Sequence, residues 1–265
     1  MESLPIRSPQ NARLKRVRAL RRGREKSAVL LEGARVIDEA LDAAANCEFV
    51  LHAEQLDQKA QLVLARAQAA GLECLPVAAE LLAEGSDLDA PTGILAVMPR
   101  PRAELDGLLA RAVEQQGLVL VAAGVQDPGN VGALVRVGAG LGAVGLVFLQ
   151  GSASPWHPRA VRGASGTTFR LPLVETVTAA DLIAAAARQE LPLWTTAADG
   201  RPYTTVAPQA CVLILGEEGR GVPAELESAA SERLGIPLQR GVESLNVATA
   251  AAVLVAALAR PGGEA

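Results

Sequence analysis

"GVESLNVATAAAVLVAALAR", residues 241–260, begins polar and turns into an almost unbroken run of alanine and valine. Between Val247 and Leu258 the sole polar residue is Thr249. A helix that is apolar on all sides must be covered on all sides, so the run predicts a buried helix. Its first turn is nevertheless crowded by Glu243, Ser244 and Asn246, directly after "IPLQRG" at 236–241. One capping side chain is enough to start a helix. With Ser244 read as that cap, Asn246 keeps its amide free, and Leu245 offers a backbone and an apolar side chain beside a buried wall.

Working back along the chain, apolar runs alternate with amphipathic stretches. The first segment predicts helices over 33–45, 58–70 and 78–84 and strands over 48–53, near Cys74 and over 93–98. "PRPRAELDG", 99–107, reads as a proline-bearing linker. Strands are then expected over 118–123, 144–149, 169–174, 193–197, 212–215 and 233–237. Helices are expected over 131–141, near Arg159, and over 179–188 and 224–230. Such alternation means an α/β protein with a mostly parallel sheet covered on both faces. The organisation expected is a domain over 1–98, a linker over 99–107 and a second domain over 108–265.

The 265 residues are 50% apolar but only 2% aromatic, so alanine, valine and leucine carry the burial. The net charge of −4 by itself argues against a nucleic-acid partner, but the charge is unevenly placed. Residues 1–26 hold nine Lys/Arg, among them Arg13, Lys15 and Arg16, against Glu2 and Glu25, a local balance of +7. This arm is either a contact for nucleic acid or another anionic surface, or a solvated tail. The three cysteines form no CxxC, which gives no disulfide framework and no zinc site; Cys47 and Cys211 lie beside apolar runs as core residues. No metal-binding or signal-peptide pattern is present, and the last apolar run is too short to span a membrane. A cytoplasmic protein is expected.

"GLGAVG", 140–145, matches GxGxxG, but these glycines close a helix instead of opening one, and no acid follows for a ribose. They are read as a helix C-terminus and close helix–strand packing. The window between Asp127 and Glu175 holds no acid at all, yet carries Arg136, Arg159, Arg162, Arg170 and His157. Its loop "SPWHPRAVRGASG" suits phosphates and an unstacked base, or else is an ordinary loop with Trp156 packed as a lid.

Ligands of parallel sheets sit beyond the carboxyl ends of the strands. Three such ends are unusual. "DPGNVGALVR", 127–136, offers Asn130 as an N-cap and Arg136 on a mostly apolar helix, where a cation needs either an ion-pair partner or a task. "LILGEEGRGVP", 213–223, packs Gly216, Gly219 and Gly221 after a buried strand, with Glu217 and Glu218 as acceptors. The third is the stretch from Ile236 to Asn246.

Taken in order, these segments resemble motifs one to three of the SpoU/TrmH RNA ribose methyltransferases of the SPOUT superfamily, and residues 8–41 resemble that family's N-terminal RNA-binding domain. The resemblance implies a C-terminal parallel-sheet SPOUT domain with a trefoil knot, and a small N-terminal α/β domain whose fold is like a ribosomal protein. It implies a homodimer with the knot helices at the interface. It implies S-adenosylmethionine held largely by backbone groups at Thr196, Ala197, Leu215, Gly216, Gly219, Ile236, Leu238, Leu245 and Asn246. Arg136 then corresponds to the favoured catalytic group, with Asn130, Glu218, Ser244 and Asn246 completing the site and Arg13, Lys15, Arg16, Arg159 and Arg162 contacting RNA. The implied reaction is methylation of an RNA ribose 2′-hydroxyl, first of 23S ribosomal RNA. The alternatives are transfer RNA and a catalytically inactive RNA-binding member of the fold. Glu217 departs from the family's usual Asn at that position.

Overall fold

In a computed structural model, residues 4–84, 93–217 and 219–259 are described. Along the chain the elements are α1 (Ala12–Arg21), β1 (Ala28–Glu32), α2 (Ala34–Asp42), β2 (Phe49–His52), α3 (Gln58–Ala69), β3 (Glu73–Pro76), α4 (Ala79–Ala83) and β4 (Ile94–Pro99). They continue with α5 (Leu105–Glu114), β5 (Leu118–Ala123), α6 (Pro128–Leu141), β6 (Gly145–Leu149), α7 (Pro158–Gly163), β7 (Leu173–Val177) and α8 (Ala179–Arg188). The last are β8 (Leu193–Pro202), β9 (Cys211–Gly216), α9 (Ala224–Ala229), β10 (Glu232–Gly235) and α10 (Val247–Leu258). Two compact units result: Met1–Pro101 with Trp156–Phe169, and Arg102–Pro155 with Arg170–Ala265.

In the first unit the strands lie in the order β1-β4-β2-β3. β4 runs antiparallel to both neighbours and β2 pairs parallel with β3, so this sheet is mixed, not mostly parallel. The difference comes from the reversed direction of β4; β1 was also passed over, because its apolar run leads straight into α2. The basic arm likewise proves to be largely α1. Leu14, Val17 and Leu20, at spacing three, are buried, and the cations around them hide that stripe from a charge count. Arg13 Nε donates to Glu73 Oε2 at 3.0 Å. Arg16 donates from Nε to Glu25 Oε1 at 2.9 Å and from Nη2 to Glu48 Oε1 at 3.0 Å, which raises the Arg16 pKa chiefly through its bond to Glu48. α7 packs on β1, and Arg162 Nη1 lies 3.3 Å from Glu32 Oε2, a carboxylate buried to 5% exposure. Arg13, Arg16 and Arg162, all expected at RNA, thus have carboxylate partners within the unit.

In the second unit the order is β10-β8-β9-β5-β6-β7, with every neighbouring pair parallel. β5 is buried along its whole length, as a strand covered on both faces must be. α5, α8 and α9 cover Val119, Val121, Val212 and Ile214 on one face. On the other, α10 packs against α6 and β9. α5 was not anticipated, because Pro101 and Gly107 gave its sequence the look of a linker; Leu108, Leu109 and Ala112 bury it. The GxGxxG glycines do what packing requires. Gly142 ends α6 in the left-handed region at φ 89°, and a Cβ on Gly145 would meet Leu108 Cδ1 at 2.5 Å.

Two caps differ from expectation. Asp127, not Asn130, caps α6: its Oδ1 accepts the Asn130 N–H at 3.0 Å, and Pro128 occupies the first helical position, where its missing N–H costs nothing. Asn246, not Ser244, caps α10, its Oδ1 accepting the Ala248 N–H at 2.9 Å. That bond fixes the amide orientation and turns Nδ2 toward Asn130 Oδ1, to which it donates at 3.0 Å. The Asn246 amide is therefore engaged at both ends.

Asn246→Ala removes a cap and an interhelix bond and is expected to lower stability by about 1.5–2 kcal/mol, whereas Ser244→Ala stays within about 0.5 kcal/mol; urea unfolding of the two variants measures the contrast. Burial pushes the Cys47 thiol up to about 11 and the Cys211 thiol up to about 12. Iodoacetamide at pH 8 should therefore label native protein at the half-buried Cys74 and reach the other two only after unfolding, as read by peptide mass spectrometry. Both buried thiols keep their protons where the unfolded chain loses them, above its ordinary value of 9.0. Their contribution is thus whole below pH 9 and is lost as pH climbs from there toward 12.

Candidate functional site

Strand order reverses at the β5–β9 pair. From β5 the chain proceeds through α6 to β6 on one side, and from β9 through α9 to β10 beyond β8 on the other. Connections that diverge in this way leave a crevice outside the carboxyl ends of the strands. Beside that switch, on the β8 and β10 side of β9, a cavity of about 320 Å³ lies among the ends of β8, β9 and β10 and the approach to α10. This is the lower part of the usual size for small-molecule sites, about 300–1,000 Å³.

Eight of the nine residues expected to cradle a cofactor line it. Thr196 and Ala197 stand where β8 parts from β9. Leu215, Gly216 and Gly219 come from the end of β9, and Ile236, Leu238 and Leu245 from the chain between β10 and α10. Asn246, the ninth, is outside the lining and caps α10 instead. Gly216 admits no side chain, since a Cβ there would stand 2.1 Å from the Gly221 carbonyl carbon. That contact comes from a tight loop in which the Gly221 N–H donates to the Glu217 carbonyl at 2.9 Å, with Gly219 and Gly221 both at positive φ.

Among the residues expected to be catalytic, Ser244 lines the cavity. Asn130 is joined to its rim through Asn246. Glu218 lies outside the described residues. Arg136 stands on α6, exposed, outside the cavity lining and without an ion pair to any described residue. The interhelix ion pair that was its structural alternative is not formed with the described residues. Of the other expected RNA contacts, Lys15 is exposed on α1 and Arg159 on α7. Sequence reasoning missed the back wall, Val247, Ala250 and Leu254 of α10, and placed no ligand role on Glu243. The wall was recoverable, because these three fall at helical spacing on one side of the alanine run. Glu217 and Glu243 are carboxylates on an otherwise largely apolar lining, and Glu217 has Arg220 at 3.7 Å. No group of three or more His, Cys, Asp or Glu residues is placed to hold a metal ion among the described residues. No described helix is long and apolar enough to cross a membrane.

The profile of the SpoU rRNA Methylase family matches residues 117–256, and that of the MRM3-like substrate binding domain matches residues 11–96. The chain is 28% identical over 254 residues to the Bacillus subtilis (strain 168) protein named 23S rRNA (guanosine(2553)-2'-O)-methyltransferase RlmP, covering 94% of this chain and 97% of that one. Over 140 residues it is 39% identical to the Syntrophobacter fumaroxidans protein named Ribosomal RNA small subunit methyltransferase G 2; that match takes in 52% of this chain and spans only 26% of the relative's length. Among solved structures, the SpoU methyltransferase AviRb from Streptomyces viridochromogenes, in complex with the cofactor AdoMet, superposes with a TM-score of 0.80 at 25% identity, over 93% of this chain and 96% of that one. With the first of these profiles spanning more than half the sequence, and the ends of β8, β9 and β10 that it covers gathered around one cavity, the chain belongs to the SpoU rRNA methylase family.

Proposed function

We propose that this protein transfers the methyl group of S-adenosylmethionine to a ribose 2′-hydroxyl of ribosomal RNA, and specifically of 23S rRNA. The observation that carries the reading is the cavity at the β8–β9–β10 ends, built from the residues that the family resemblance singles out. The RNA is taken from the printed name of the full-length Bacillus relative.

The lining fits the donor. Leu215, Ile236, Leu238, Leu245 and Val247 give apolar walls for an aromatic base, and the backbone at Gly216 is open to close approach. Glu217 and Glu243 favour a cationic ligand. When bound, S-adenosylmethionine supplies a methyl group already activated by its sulfonium sulfur. The protein's task is then to align a weakly acidic hydroxyl and bear the charge that develops on its oxygen as the proton leaves to solvent and the methyl's bond to sulfur breaks. A guanidinium offers N–H donors and no acceptor, so Arg136 acts as a donor to that oxygen or to the neighbouring phosphate. Its exposure and lack of a carboxylate partner among the described residues support this role. With Asn130 Oδ1 already taken by Asn246, the Asn130 Nδ2 is left to donate to the substrate. Ser244 and Glu218 complete the set.

The finer points of the reading follow the same logic. The C-terminal segment threads a loop as a trefoil knot: after β10 at the sheet edge the chain comes back so that α10 packs on α6, on β9 and on the Tyr203–Thr205 turn. Unit one serves as a substrate-binding domain of ribosomal-protein type. The working form is a cytoplasmic homodimer joined through α10, whose exposed residues Thr249, Ala256 and Ala257 bear no charge.

Arg136→Ala is expected to keep S-adenosylmethionine affinity in calorimetry and to lose methyl transfer to 23S rRNA by at least about 100-fold; near-normal transfer overturns the catalytic role, and label appearing on transfer RNA instead overturns the substrate. Ala256→Glu should halve the sedimenting mass, and a wild-type protein that already sediments as a single chain removes the dimer.

A further inference from the structure

α1 carries two sets of cations with different fates. Arg13 and Arg16 flank its buried stripe and are held by Glu73, Glu25 and Glu48. The other set faces away from the stripe. Lys15, Arg18 and Arg22, at spacings of three and four, share one side of the helix and line a hollow of about 200 Å³ together with Ala19 and Arg24. Arg24 reaches this side because the helix ends in a left-handed turn. Gly23 sits at φ 66°, its N–H donates to the Leu20 carbonyl, and the Arg24 N–H donates to the Ala19 carbonyl, each at 2.9 Å. This is the reversal that glycine-ended helices use to fold the chain back over their last turn.

Among the described residues, no acid lines the hollow. Lys15, Arg22 and Arg24 have no ion pair with a described residue, and Arg18 spends its donors on the Leu14 and Pro9 carbonyls. Four like charges brought round one small space repel each other unless an anion joins them. Among the described residues no aromatic side chain lines the space to give a platform for a stacked base; its chemistry is that of a cradle for phosphate oxygens.

We infer that Lys15, Arg18, Arg22 and Arg24 form a clamp for the phosphodiester backbone of the RNA substrate, and that Arg13 and Arg16 are structural cations that fasten α1 to its unit. The RNA partner is taken from the function proposed above. The clamp sets position along the strand without reading sequence.

The test is filter binding of the full chain to a 23S rRNA transcript between 50 and 400 mM KCl. For the triple variant Lys15→Gln, Arg22→Gln, Arg24→Gln, the slope of log affinity against log salt should become shallower by about 2, with about 100-fold weaker binding at 100 mM KCl. S-adenosylmethionine affinity and the urea midpoint should match wild type. Arg13→Gln with Arg16→Gln should lower the urea midpoint and leave the slope unchanged. An unaltered slope in the triple variant, or an equal loss in the second pair, overturns the proposal. So does an unaltered slope accompanied by lost binding to phosphatidylglycerol vesicles, which reassigns the face to a lipid surface. If wild type binds with a slope that the triple variant flattens but methylates nothing, the clamp stands and the methyltransferase reading falls. If it methylates and the slope is unmoved, the reverse holds.

Discussion

A single amide holds the candidate site in register. Asn246 gives its oxygen to the first turn of α10 and its nitrogen to Asn130 in the first turn of α6. Both helices lie on the same face of the parallel sheet, and one starts just beyond β5 while the other starts just beyond the chain that leaves β10. Joining their N-terminal turns therefore joins the two halves of a sheet whose connections diverge. Every wall of the cavity is supplied by strand ends or by α10 and its approach, so the depth and shape of the space depend on where that joint holds the helix. The apolar run of α10 provides the driving force for its burial, but hydrophobic burial has no direction; the amide supplies the direction.

The three loops divide the labour. Glycines at 216, 219 and 221 let the end of β9 fold close against itself, which leaves backbone instead of side chains facing the cavity. The chain between β10 and α10 gives leucine and isoleucine walls with Glu243 at the edge. The loop after β5 puts nothing into the cavity lining. It contributes Asn130 at the joint and, two turns further, a cation with no described carboxylate to neutralise it.

Much of this was legible in the sequence, because the second unit obeys strong rules. Continuous apolar runs became strands buried on both faces, and the glycine and proline punctuation after them marked the ligand side. Motif resemblance singled out eight of the residues that line the cavity, but not its back wall on α10. What escaped has physical causes. Cap identity turned on a one-residue choice, Asp127 against Asn130 and Asn246 against Ser244, where both candidates are good acceptors and geometry alone decides. In α1 the charges are so dense that three leucine and valine positions were outvoted. The fate of each arginine was invisible, because the carboxylates that engage Arg13, Arg16 and Arg162 lie far off along the chain.

Among the described residues, the cavity draws its walls from those between Thr196 and Leu254. On the ribosome, the first unit's sheet strands have all emerged by Pro99, well before any part of that hollow exists. At the usual elongation speed, about 5–20 residues per second, the contributing stretch alone takes on the order of several seconds to appear. A growing polypeptide thus has the first unit's sheet early, the rest of that unit only at Phe169, and the cavity last. A copy that stops short of Leu254 would carry every strand of the first unit's sheet and an unfinished cavity.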